Sequence, residues 1–253
     1  MKQDIYNQEI KDWDANAKFY VNENFMPYQE KIVRKKMYKF YNIDKSQAVL
    51  EAGGGIVKLL KNSVLIDFST KMIEGCKSIN QAEKCVQGSV HDLPFENNSF
   101  DVVVANGLFH HIKVQGLLDK TCDEFFRVLK PSGKLCIFDR APNLVPKLMF
   151  YVRQPLKLIH KPKSTCSTTN EVQFLESDIE KIISHGFKIE KRMYLINIFF
   201  QSMIILTNIF QYLFGAKAAI IVQRISMPLA MVVEKIFSFK FLCVEQCIIM
   251  KKQ

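Results

Sequence analysis

Short apolar runs alternate with amphipathic segments along this chain. The runs at 49–52, 64–66 and 100–105 have the length of strands, and the third is apolar apart from Asp101, as in a strand buried on both faces. Apolar residues at helical spacing predict helices over 4–20 and 117–129. Strands that alternate with helices indicate an α/β fold with a largely parallel sheet.

A glycine-rich segment follows the first predicted strand. Gly53, Gly54 and Gly55 come just after Glu51, and Asp67 ends the second strand 14 residues after Gly53. Glycines let the backbone approach a ligand where a β-carbon would clash, and a carboxylate at this place can accept hydrogen bonds from both hydroxyls of a ribose. The layout predicts a nucleotide-binding βαβ unit, with a plain tight turn as the alternative.

A second set of motifs lies around the fourth predicted strand. It comprises Asp92-Leu93-Pro94-Phe95, then Phe100–Ala105 with Asn106-Gly107-Leu108-Phe109-His110-His111, and finally Arg127-Val128-Leu129-Lys130-Pro131-Ser132-Gly133. On these motifs, residues 47–140 resemble the class I S-adenosylmethionine-dependent methyltransferases. The closest likeness is to the type 11 group, which includes quinone C-methyltransferases and many small-molecule and lipid methyltransferases. The resemblance implies an α/β fold with a Rossmann-like, doubly wound, seven-stranded, mostly parallel sheet.

The resemblance also implies S-adenosylmethionine as the cofactor and a set of residues that hold it. Glu51 would help to fix the ammonium group, Asp67 would bind the ribose and Phe68 would stack on the adenine. For Asp67, a helix-capping role is the alternative. Ser89 stands where the family normally has Asp or Asn, so its hydrogen bond to the adenine would be weaker. The expected cofactor-binding residues are Glu51, Gly53, Gly55, Asp67, Phe68, Met72, Ser89, Val90 and Asn106.

Two histidines follow the fourth strand. Methyl transfer to N, O or activated C often needs a base, and His111 is the candidate because many relatives have a matching histidine. The alternative is that His111 braces the loop and that alignment alone accelerates the reaction. His110, Trp13 and Tyr20 are expected on the substrate side, the last two in an N-terminal lid, although a helix packed on the sheet would show the same pattern.

The chain divides into three parts by these patterns. Residues 1–45 are expected to form a helical lid, 46–140 the cofactor-binding core, and 141–253 a helical substrate-side cap together with the last strands of the sheet. Within the cap, 195–236 is predicted as a pair of apolar helices before the last strand. These helices would cap a pocket, form a homodimer interface, lie on a bilayer or simply extend the core.

The charge distribution bears on the substrate. The net charge is +10, of which residues 1–140 carry +2 and residues 141–253 carry +8. The stretch 147–163 combines lysine and arginine with apolar residues, as in an interfacial membrane segment or a lid over an anionic substrate, and a solvated basic face is equally compatible. We therefore expect a hydrophobic or lipid-linked acceptor; a soluble metabolite or natural product is the alternative. No motif for nucleic-acid methylation is present.

The remaining features concern location and rival functions. Residues 1–18 show no signal-peptide pattern, so a cytoplasmic protein is expected, peripheral to the inner face of the membrane if lipid is bound. Seven scattered cysteines without CxxC spacing predict reduced thiols and no metal site, with Cys136 and Cys243 in the core. Only 14 residues separate Gly53 from Asp67, which requires a first helix of about two turns and makes a non-catalytic, cofactor-binding scaffold protein the rival.

Overall fold

One sheet of seven strands organises the fold. In the computed structural model the strands lie in the order β3-β2-β1-β4-β5-β7-β6. β1 to β5 pair in parallel, whereas β7 runs antiparallel to both β5 and β6. The seven-stranded, mostly parallel sheet predicted from the sequence is therefore confirmed. The strands are β1 Val49–Ala52, β2 Val64–Asp67, β3 Cys85–Gln87, β4 Phe100–Asn106, β5 Leu129–Arg140, β6 Phe187–Asn197 and β7 Cys243–Lys252.

Helices lie on both faces of the sheet, so successive residues of β4 enter different cores. Val103 packs with the apolar side chains of one face, and Val102 packs with those of the other. This two-sided burial explains the uninterrupted apolar run in the sequence. The helices are α1 Lys2–Val21, α2 at 35–41, α3 Thr70–Ile79, α4 Phe109–Gln115, α5 Leu118–Val128 and α6 Glu176–Ser184.

The structure describes only part of the chain. The predicted basic stretch 147–163 and most of the predicted apolar helices at 195–236 lie outside the described residues. No helix among the described residues is long and apolar enough to cross a membrane. The described residues are 2–21, 35–55, 60, 63–79, 84–142, 172–197, 221–222, 225, 232 and 243–253.

The predicted start of the apolar helices at residue 195 is wrong. Leu195 and Asn197 belong to β6 and pair with Glu245 and Cys243 of β7. The absence of charge in this region suits a buried strand as well as a helix, and only the antiparallel pairing with β7 decides between them. Leu195 is accordingly buried in the core.

The expectation of reduced cysteines is also wrong at one place. Cys76 of α3 and Cys85 at the start of β3 form a disulfide, with their Cα atoms 6.4 Å apart. The nine-residue separation gave no sign of this, because the two cysteines meet only when the chain returns from α3 into the sheet. Cys136 and Cys243 are buried, as predicted.

Candidate functional site

The glycine loop at the end of β1 combines two different requirements. Gly53 has a φ of +63°, and a β-carbon there would lie 2.7 Å from Cδ1 of the buried Leu108. Gly55 has a similar φ of +65°, but the nearest atom to its β-carbon position is Sδ of Met72 at 3.9 Å. A β-carbon at residue 53 would therefore displace Leu108, whereas at residue 55 no described atom comes closer than van der Waals contact, so a ligand can approach the backbone there.

Asp67 links this loop to the start of α3. Its Oδ2 accepts a hydrogen bond from the Gly55 amide at 2.9 Å, and its Oδ1 accepts one from the Ser69 amide at 2.9 Å. Burial raises the pKa of Asp67 to about 6, although the two amides favour the charged form. Each oxygen keeps a second lone pair, so the carboxylate can hold the local structure and still accept from a ligand.

Glu51 is buried at the end of β1 and braces the far side of the loop. One of its oxygens accepts hydrogen bonds from the Leu60 amide at 3.0 Å and from the Ser63 hydroxyl. The carboxylate thereby ties the returning loop to the strand. Its expected role near the cofactor ammonium group stays a prediction.

Aromatic side chains surround the predicted adenine position. The ring of Tyr6 in α1 lies 5.8 Å from the ring of Phe68 and 5.4 Å from the ring of His91. Ser89 Oγ lies 2.7 Å from Nδ1 of His91, and Val90 is buried beside them. The structure thus brings together the predicted Phe68, Ser89 and Val90, and it adds Tyr6 and His91, which the sequence analysis did not single out for this place.

Helix α1 is anchored on the start of α3. Asp14 accepts a hydrogen bond from the Ser69 hydroxyl at 2.5 Å and another from the Lys71 amide at 3.2 Å. Ala17 and Trp13 pack against the buried Met72. The N-terminal helix therefore lies over the edge of the sheet where the cofactor residues meet. Tyr20 lies in the last turn of α1, and its side chain lies outside the described residues.

Asn106, at the end of β4, is held by Tyr41 of α2. The hydroxyl of Tyr41 donates to Asn106 Oδ1 at 3.3 Å. Tyr41 has no exposed surface, and burial raises the pKa of its hydroxyl well above the ordinary value, so it remains a donor. This contact orients the Asn106 amide, and Tyr41 is a further residue that the sequence analysis missed.

A buried row of acids and bases lies next to Asn106, and we refer to Glu9, His111, His110 and Asp139 as the acid–base row. Glu9 Oε2 of α1 lies 3.0 Å from Nδ1 of His111. The rings of His111 and His110 have centroids 4.0 Å apart, and His110 Nδ1 lies 2.9 Å from Asp139 Oδ1 at the end of β5. All four residues are buried. The row joins the N-terminal helix to the carboxyl edge of the sheet.

The electrostatics of the row favour a neutral His111. Burial lowers the pKa of His111, the charge of His110 lowers it further, and Glu9 and Asp139 oppose both effects. Burial alone would raise the pKa of Asp139, but His110 and Arg140 together outweigh burial, and the pKa lies below its usual value. A neutral buried histidine beside a carboxylate can accept a proton near pH 7.

One sequence signal could have identified Glu9. Tyr6, Glu9 and Trp13 are spaced three and four residues apart, so an acid stands on the apolar face of α1. A charged residue on a buried helix face needs a partner. That partner, His111, is about a hundred residues away in the sequence, and only the fold brings the two together.

Comparisons with known proteins agree with the fold. Residues 45–137 match the type 11 family model described as "Methyltransferase domain". An uncharacterised methyltransferase of Schizosaccharomyces pombe is 30% identical over 115 residues, which are 42% of this chain and 44% of that protein. A demethylmenaquinone methyltransferase of Oceanobacillus iheyensis is 34% identical over 110 residues, 40% of this chain and 42% of that protein.

The structural comparison extends over most of the chain. An S-adenosylmethionine-dependent methyltransferase of Methanosarcina mazei matches with a TM-score of 0.55 at 15% identity, covering 85% of this chain and 96% of that one. At such low identity this likeness concerns the fold alone. In sequence, the chain spans about half the length of the curated relatives it matches.

Proposed function

We propose that this chain, whose residues 45–137 match the methyltransferase domain model, is a class I S-adenosylmethionine-dependent methyltransferase of type 11 and methylates a small, hydrophobic or lipid-linked acceptor. The observation that carries the proposal is the meeting of two groups at the carboxyl edge of the sheet. Asp67 and the glycine loop form one group, and the acid–base row forms the other. In open α/β sheets, ligands bind at this edge.

The residues at the first group fit the cofactor. Among the described residues only Met72 comes within 4 Å of the β-carbon position of Gly55, and Asp67 keeps lone pairs for ribose hydroxyls. Phe68 is only half-buried and offers a ring face for the adenine. S-adenosylmethionine, when bound, supplies a methyl group activated by the sulfonium. Met72, Ser89, Val90 and Asn106 complete the proposed binding set.

His111 is the proposed base on the acceptor side. Its neutral ring can take a proton from the acceptor, while Asn106, held by Tyr41, orients polar groups of the ligands. Trp13 packs edge-on against the His111 ring at 5.4 Å and closes the site from α1. An acceptor that is already a good nucleophile would need alignment only.

Three observations support a hydrophobic acceptor. The net charge of +8 in residues 141–253 favours an anionic surface or substrate. Residues 198–214 of that region carry no charged side chain. Relatives include demethylmenaquinone methyltransferases, whose names denote a quinone-type acceptor. Peripheral association with the inner face of a membrane, and formation of a homodimer, belong to the same proposal.

Calorimetry followed by an acceptor screen tests the proposal. We expect wild-type protein to bind S-adenosylmethionine and S-adenosylhomocysteine, and then to methylate a prenylated naphthoquinol presented in anionic vesicles. Flotation with the same vesicles measures membrane association, and light scattering measures the oligomeric state. Turnover of a small polar acceptor, without vesicle binding, would replace the lipid acceptor with a soluble metabolite.

Two observations favour a non-catalytic scaffold function. Ser89, at the expected adenine contact, is already engaged with His91, and the glycine loop is short. Such a protein would bind the cofactor without turnover. Any transfer or enzyme-dependent loss of the methyl group, followed with a radiolabelled methyl, rules it out.

A further inference from the structure

Glu9 is a buried acid that the cofactor site does not explain. It has no exposed surface, and its Oε1 has no hydrogen-bond partner among the described residues. Burying a carboxylate without full hydrogen bonding destabilises the folded protein, more so for a charge than for a neutral polar group. A residue kept at such a cost is expected to act on a neighbour.

The neighbour in contact is His111. Glu9 Oε2 lies 3.0 Å from His111 Nδ1, a contact distance without the alignment of a complete hydrogen bond. A carboxylate beside Nδ1 favours the tautomer with the proton on that nitrogen. The ring lone pair then lies on Nε2. The same arrangement recurs at His110, whose Nδ1 faces Asp139.

Several charged groups face His111 from different elements. They are Glu9 from α1, His110 from α4 and Asp139 from β5. Glu9 and Asp139 favour the protonated ring, whereas burial and His110 oppose it. Of the two acids, Glu9 is the one at contact distance, so it compensates most directly for the buried position of the ring.

We propose that Glu9 is a positioning residue through which the N-terminal helix completes the catalytic base. It holds His111 with the proton on Nδ1 and stabilises the imidazolium that forms when Nε2 takes a proton. Because Glu9 is supplied by α1, His111 is a competent base only while α1 is docked through Asp14 on Ser69. This role rests on the proposed methyl transfer.

In the proposed methyl transfer, the proton leaves the acceptor atom for His111 Nε2, and the electron pair left behind forms the bond to the methyl carbon. The bond from that carbon to sulfur breaks with its electrons on the sulfur. The positive charge thus passes from the sulfonium to the imidazolium, which Glu9 faces.

Nitrogen NMR of the histidine rings tests the pairing without any turnover. The chain has five histidines, and His111→Asn identifies the signal to follow. In the wild type we expect the Nδ1–H tautomer at His111. Glu9→Gln keeps an acceptor oxygen and should keep the tautomer while lowering the pKa of the ring. Glu9→Ala removes the charge and the acceptor oxygen, so it should disturb the tautomer as well as lower the pKa of the ring.

Asp4→Asn is the matched control, since it removes an acid from an exposed position of the same helix. It should leave the tautomer and the pKa of His111 as in the wild type. Thermal unfolding and binding of S-adenosylhomocysteine show whether each variant is folded. Glu9→Gln, which is nearly isosteric, carries the test if Glu9→Ala does not fold.

The kinetic readout is the pH profile of kcat. In Glu9→Gln the acid limb should move to lower pH, and kcat at neutral pH should fall about tenfold, less than on loss of the base itself. An unchanged tautomer and pKa in both variants would overturn the proposal. If the wild type neither binds the cofactor nor transfers a methyl group, the proposed function is overturned instead. The NMR test needs neither the cofactor nor turnover, so the two failures can be distinguished.

Discussion

Two buried carboxylates meet at the same edge of the sheet, but they are held in different ways. Asp67 accepts hydrogen bonds from the amides of Gly55 and Ser69, both within 12 residues of it in the sequence. Among the described residues Glu9 has no completed hydrogen bond of this kind, and its contact, His111, comes from a distant part of the chain. The cofactor side is therefore satisfied locally, whereas the acid–base row depends on the docking of α1.

The way each carboxylate is held fits a different task, cofactor binding for Asp67 and methyl transfer for Glu9. A locally satisfied carboxylate is in place before any ligand arrives, which suits a group that recognises the cofactor. The acid–base row is assembled from several elements. Its buried groups destabilise the fold unless the site is complete, as is common for catalytic groups. Variants on the two sides should accordingly change different measurements.

The largest effect is expected at the base. His111→Asn should lower kcat by about 10²–10⁴-fold, because general-base catalysis contributes that much, while leaving the dissociation constant of S-adenosylmethionine unchanged. Single-turnover kinetics with saturating cofactor measure the chemical step. Turnover close to the wild-type rate would mean that alignment alone drives the reaction.

The next effect is expected on the cofactor side. Asp67→Ala removes both the proposed ribose contact and the anchor of Gly55, and should weaken binding about 100-fold, equivalent to roughly 3 kcal/mol. Calorimetry with S-adenosylhomocysteine measures it. Glu74→Ala, which removes an exposed acid from α3, is the control and should bind normally. Equal affinity of Asp67→Ala and wild type would remove Asp67 from the site.

The pH dependence of binding sharpens the contrast. Ribose hydroxyls donate to the charged form of Asp67, whose pKa in the free protein is about 6. Affinity should therefore be constant above that value and fall, by up to about tenfold per pH unit, as the pH drops below it. Asp67→Asn cannot titrate and should show a flat profile between pH 5 and 7. A flat wild-type profile would contradict the raised pKa.

A smaller effect separates the two loop glycines. Gly53→Ala would press a β-carbon against Leu108, whereas Gly55→Ala meets only Met72 at van der Waals distance. Both pay the backbone cost of a positive φ, roughly 1–2 kcal/mol. We expect Gly53→Ala to lower the free energy of unfolding more, and Gly55→Ala to weaken cofactor binding more. Denaturant unfolding of both variants measures the loss of stability, and calorimetry measures cofactor binding. The reverse order of the two effects would contradict the different roles assigned to Gly53 and Gly55.

The smallest effect concerns the contribution of Glu9 to the free energy of unfolding. Glu9→Gln removes a buried charge without complete hydrogen bonds, so the free energy of unfolding should stay the same or rise by about 1 kcal/mol. Urea unfolding at neutral pH measures it. A loss of 3 kcal/mol or more would mean that Glu9 is held for stability.

The sequence determined the sheet and marked the proposed cofactor-binding residues, because the information for both is local. The apolar runs at 49–52, 64–66 and 100–105 have the period and length of buried strands, and the glycines and Asp67 stand within one βαβ unit. For the same reason the family could be recognised from motifs in 47–140. The sequence also marked His111 as a candidate, from its place after β4.

The tertiary structure alone decided the partners of these residues. Glu9 meets His111, Asp139 meets His110, Tyr41 meets Asn106 and Cys76 meets Cys85 only after the sheet is assembled. The strand at Leu195–Asn197 was likewise fixed by its pairing with β7. Contacts between residues far apart in sequence depend on how elements pack, and hydrophobic period carries no information about which elements become neighbours.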